Sequence, residues 1–174
     1  MRHFQLAATV VLGLAVFIGT ADAQKRTVKK PIAKKPPVKV VPPLDVRAGR
    51  EKVDNQLSNV NDFVNKLSSI AQGLEVADTD AKAGNLRPKT AAKIEAKKAE
   101  IVEAIRNIKV AMTNLESEFR TKPALRKYLP NIEGVTDLAA QSEDSAIAGK
   151  FVAAKAPLRD VAKKLTDTLT AMPL

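Results

Sequence analysis

VDNQLSNVNDFVNKLSSIAQGL, residues 53–74, places apolar side chains at Val53, Leu57, Val60, Val64, Leu67, Ala71 and Leu74. Alternating steps of four and three residues are the period of an α-helix with one narrow apolar stripe. Held over three heptads, the stripe predicts a long helix packed nearly antiparallel to another, as in a bundle or coiled coil. Asn55, Gln56, Asn59, Asn61, Asp62 and Asn65 fall off it and read as a solvated face.

Toward the C-terminus the stripe loosens at Asp78-Thr79-Asp80, Gly84-Asn85 supplies a left-handed stop, and Pro88 marks a new start. A second helix follows with Ala91, Ile94, Lys98, Ile101, Ile105, Ile108, Met112, Leu115 and Phe119 on its stripe, and the two long helices are expected to form an antiparallel pair. Lys98 is out of place on an apolar stripe. It reads first as fraying near the helix start, and second as a device that fixes register. Pro123 and Pro130 bracket a short piece with the only tyrosine, Tyr128, and Asn131 can cap another piece through Ile132, Val135, Leu138 and Ala139. Ser142-Glu143-Asp144-Ser145 resembles the start of a last helix with Ile147, Phe151, Ala154, Leu158, Val161, Leu165, Thr168, Leu169 and Met172 on its stripe. Pro157 is expected to kink it. No strand-like alternation is present and aromatic residues make up 3% of the chain. The expected fold is all-α: an up-down bundle of three long helices plus a short broken one, over residues 45–174.

Upstream of the bundle, residues 24–44 hold Lys25, Arg26, Lys29, Lys30, Lys34, Lys35 and Lys39, five prolines and no acid. The prolines exclude a helix and favour an extended, disordered arm. Its 21 residues could reach about 65 Å if fully drawn out. Residues 45–174 hold 21 basic and 18 acidic residues, so most of the +10 net charge belongs to the arm. The seven arm cations are the candidate contacts for a polyanion or an anionic surface; the alternative is a solvated spacer. Paired lysines set among prolines resemble the tails of linker histones in composition, yet no aromatic residue interleaves to stack on bases.

Residues 1–23 read as an export signal: Arg2, an uncharged apolar stretch, then Ala21-Asp22-Ala23 as the cleavage pattern, with cleavage expected before Gln24. The uncharged stretch of 18 residues is marginal for an uncleaved anchor. The expected location is periplasmic or extracellular.

The chain has no cysteine or tryptophan, and its one histidine, His3, leaves with the signal. The usual general base, the commonest metal ligand and the strongest side-chain nucleophile are therefore missing from residues 24–174. In outline the chain resembles exported haem-binding four-helix cytochromes and the lumenal extrinsic bundles of photosystem II with their proline-rich arms. The haem-ligating residues that such a likeness implies are absent. The Glu100/Glu103 and Glu116/Glu118 spacings read as surface glutamates. The expectation is no catalytic residue, no cofactor, no metal and no small-molecule substrate. The expected function is an exported, non-enzymatic binding or structural protein with the arm as tether or spacer; the alternatives are a periplasmic chaperone-like protein and a polyanion or nucleic-acid binder. The stripes allow closure within one chain or across a homo-oligomer, and a protein partner stays unnamed.

Overall fold

Helix α1 spans Leu44–Lys82 and α2 spans Pro88–Thr121. A 3-10 turn at Arg126–Tyr128 then leads into α3 (Leu129–Ile132), α4 (Val135–Ile147) and α5 (Phe151–Ala171). The structure, a computed structural model, describes residues 42–174. The signal and the seven arm cations lie outside the described residues. Every regular element described is helical.

Cross-helix contacts give the topology. Glu75 accepts the backbone N–H of Val152 while Arg50, 25 residues earlier, donates to the carbonyls of Leu169 and Met172, so α1 and α5 are antiparallel. Glu116 meets Thr136, and Arg106 and Lys109 meet Glu143, so α2 and α4 are antiparallel. Lys52 pairs with Glu118 and Asp78 with Lys98, which runs α2 down α1. The result is an up-down-up-down bundle with the 3-10 turn, α3 and α4 together forming its broken third leg. The two longest helices form the antiparallel pair that the sequence predicts, although α1 packs most extensively on α5 and α2 on α4.

The core follows the sequence stripes. Val53, Val60, Val64, Leu67, Ala71 and Leu74 of α1 are buried with Ile101, Ile105, Met112, Leu115 and Phe119 of α2 and Phe151, Ala154, Leu158, Val161 and Leu165 of α5. Gly49 is buried because the Leu125 side chain lies where a Cβ would stand, 2.8 Å from Leu125 Cδ2.

Two glycines with φ of 75° end helices. At the end of α1, Asn85 N–H reaches the Asp80 carbonyl and Gly84 N–H the Ala81 carbonyl; Lys150 to Ser145 and Gly149 to Ala146 repeat the pattern after α4. Both are Schellman stops, which need the left-handed residue that glycine supplies without strain. The second moves the expected boundary. Ser142–Ser145 lie inside α4, with Ser142 and Glu143 buried, and the last helix starts at Phe151. Ser142 Oγ donates to the Ala154 carbonyl of α5 at 2.8 Å and so joins two helices rather than capping one. Pro157 lies within α5, which continues through it.

Candidate functional site

The arm enters the bundle at Pro42-Pro43. Here Pro42, Pro43, Val46, Pro123, Ala124, Lys127, Tyr128 and Pro173 surround a shallow, mostly apolar cleft of about 420 Å³. The Lys127 ammonium sits 4.8 Å from the centre of the Tyr128 ring, a cation–π distance. The cleft's lining holds Lys127 and Tyr128 but no carboxylate, histidine or cysteine.

The polar chemistry inside the bundle is ionic. Asp78 Oδ1 accepts from Lys98 at 2.6 Å and its Oδ2 from Lys82 at 2.7 Å, with the Asp78 side chain only 7% exposed. Lys98 also meets Glu95 at 2.9 Å. This answers the anomaly in the second stripe: Lys98 pairs across helices with a buried aspartate, on a stretch where the stripe is open near the helix start, since Ala91 and Ile94 are only partly buried and Ile101 is the first buried stripe residue of α2. Glu143 of α4 receives Lys109, and Arg106 at 2.9 Å. Glu116 accepts from Arg120 at 2.8 Å and from the Thr136 hydroxyl at 2.9 Å. Glu118 holds Lys52 at 2.7 Å and Lys122 at 2.6 Å. Glu116 and Glu118 are thus structural ion-pair members rather than surface glutamates, whereas Glu100 and Glu103 do lie on the surface beside Lys97 and Arg106.

All four of these inner carboxylates are held below their ordinary range. The Lys82 and Lys98 ammonium groups lower Asp78 against the opposing effect of burial. At Glu143, Lys109 has the largest lowering influence, burial opposes it, and Arg106 adds to it. Burial alone would raise Glu116 and Glu118, but Arg120 and Thr136 outweigh it at the first and Lys122 and Lys52 at the second. Lys98 is raised by Asp78 and then Glu95. A general acid needs a carboxyl kept protonated near neutrality. These carboxyls are driven the other way, toward permanent charge.

Among the described residues no three His, Cys, Asp or Glu side chains come together, and no helix is long and apolar enough to cross a membrane. Between α1 and α2 runs a shallow groove lined by Phe63, Leu67, Ile70, Ile101 and Ala104 and rimmed by Lys66, Lys97 and Glu100. Ile70 remains 38% exposed in it. The groove follows from the weaker packing of α1 on α2, and sequence periodicity gave no sign of it because Phe63 and Ile70 lie just off the main stripe. No protein-family model, curated protein or solved structure matches this chain.

Proposed function

We propose that the chain is an exported, non-enzymatic binding protein, cleaved near Ala23, whose basic arm tethers the helical bundle to an anionic surface or polymer. Lys25, Arg26, Lys29, Lys30, Lys34, Lys35 and Lys39 are the contacts. One observation carries the reading: the buried carboxylates of the bundle are all paired internally, whereas the seven arm cations have no acid within residues 24–44. Arg126 and Lys127, on the 3-10 turn at the end where the arm enters, add two cations with no carboxylate at ion-pair distance among the described residues. Counterion release makes such binding salt-dependent.

The test compares residues 24–174 with a variant carrying glutamine at the seven arm positions, on anionic vesicles, neutral vesicles and duplex DNA across a salt series. The expected result is binding to anionic vesicles that weakens with salt and drops at least a hundredfold in the variant. Equal binding by both proteins would leave the arm as a spacer, and preference for DNA would favour the nucleic-acid reading.

A second reading, a chaperone-like role, draws support from the partly exposed apolar groove at Phe63 and Ile70. It expects the chain to suppress aggregation of an unfolded client and Ile70→Glu to abolish that suppression.

A further inference from the structure

The far end of the bundle carries a second concentration of positive charge. Residues 81–94 contain Lys82, Arg87, Lys89 and Lys93 and no acid. The rest of residues 45–174 then holds 17 basic against 18 acidic residues, a net charge of −1. A run of the same balance, Arg120, Lys122, Arg126 and Lys127 with no acid across residues 119–132, lies at the arm end, so cations concentrate toward the arm end and at this α1–α2 connection.

The structure places the connection as a projecting tip. Asp78 is the last buried residue of α1 and Ile101 the first of α2; nothing between them is buried. The turn joining α4 to α5 reaches only to the level of Asp78, where Gly149 lies against the aspartate. Beyond that level α1 and α2 continue alone. Lys82 is paired with Asp78. Arg87, Lys89 and Lys93 are exposed, with no carboxylate at ion-pair distance among the described residues. Lys89 and Lys93 stand four residues apart on one face of α2, a spacing at which like charges oppose the helix. Neither fold nor core gains from three free cations there.

We propose that this tip is a second anion-contact surface, for the headgroups of an anionic lipid bilayer, and that the chain bridges two such bilayers. The bridging half rests on the arm-tether reading; the tip contact does not. The 39 residues of α1 span about 58 Å, many times the Debye length of about 8 Å, so the tip and the arm's attachment at Leu44 act as separate electrostatic sites. A planar surface fits a blunt, end-on cluster because mobile headgroups gather beneath it. A linear polyanion would instead lie along the bundle, whose remaining net charge is negative. The tip also has no aromatic residue for base stacking.

Each basic residue held at an anionic membrane surface strengthens binding about fivefold, so the three free cations together supply about a hundredfold. The test uses residues 24–174 and three variants: R87Q/K89Q/K93Q, the arm with its seven cations changed to glutamine, and both sets combined. Circular dichroism checks that each keeps its helix content. Co-sedimentation with phosphatidylglycerol vesicles reads binding, and turbidity reads vesicle clustering. The expected result is that the tip variant still binds but needs at least tenfold more protein to cluster vesicles. The arm variant should retain weak binding at low salt, which the combined variant loses. Clustering by the tip variant at the unmodified protein's concentration overturns the proposal and leaves the arm reading intact. Residual binding by the arm variant that the combined variant lacks supports the tip contact even if the arm itself adds nothing. Clustering of DNA but not vesicles overturns the bilayer assignment.

Discussion

Phe119→Ala is expected to cost about 3–5 kcal/mol of folding stability, the range for emptying a large buried aromatic site. Phe119 has no exposed surface and stands with Phe151 as the largest fully buried side chains in a core otherwise made of Leu, Ile, Val, Met and Ala with Tyr128. The truncation loses the transfer free energy of the ring and leaves a cavity that neighbouring helices close only in part. A domain of this length is typically stable by about 5–15 kcal/mol, so the loss is a large share of the total. The check is urea unfolding followed by far-ultraviolet circular dichroism, since the chain has no tryptophan and a single tyrosine to serve as a fluorescent probe. Val110→Ala, at a position 52% exposed on the same helix, is expected to stay within about 0.5 kcal/mol. Similar losses for the two variants would mean that the α2 core face is not closely packed.

The contrast between those positions was legible in the sequence because the four-three stripe encodes which face a helix buries. Every stripe residue of α1 from Val53 to Leu74 is buried except Leu57, which is partly so. On α2 the stripe is buried from Ile101 onward except at Ile108, which is partly so, while Ala91 and Ile94 remain partly open because no α4 or α5 reaches the tip. Long periodic helices repeat the same signal many times, so one exception does not obscure it.

Features set by distant partners were not legible. Glu143 is polar and follows a serine, which locally resembles a helix start, yet Arg106 and Lys109 of another helix draw it inward. Gly149 held the correct boundary signal, and the cap-like run before it masked that signal. Lys98 shows the same difficulty: its partner Asp78 lies in the segment where the first stripe loosens, and only the α1–α2 packing brings the two together. The pairing order had no local signature either, because choosing α5 over α2 as the main partner of α1 is a property of the whole assembly. The arm residues proposed as the binding site lie outside the described residues, so their reading still stands on composition.

Acid is expected to unfold the bundle, with the loss beginning as the pH falls into the ordinary carboxylate range. Asp78, Glu116, Glu118 and Glu143 are all lowered in the folded state, so the unfolded chain binds protons more tightly at these four sites. Their contribution is complete above the unfolded values of about 3.9–4.3 and disappears as pH falls through the lowered folded values. The urea midpoint should therefore stay nearly level from pH 7 to about 5.5 and drop steeply below about 4. Lys98 works in the opposite window: its raised value contributes stability that is complete below about 10.4 and is lost as pH rises through the folded value. Glu143→Gln separates the ion pairs from the general self-repulsion of an acidified chain. At pH 7 it should cost about 1–3 kcal/mol, since the side chains of Arg106 and Lys109, 49% and 34% exposed, can regain water when the carboxylate is gone. Below pH 4.5 the same variant should lose stability less steeply than the unmodified chain, because one of the four proton-linked sites has been removed. Asp54→Asn, at an exposed position without an ion pair among the described residues, should keep the original slope. If Glu143→Gln and Asp54→Asn trace the same curve, acid sensitivity comes from net charge alone. The buried ion pairs would then join the helices without governing how the bundle responds to pH.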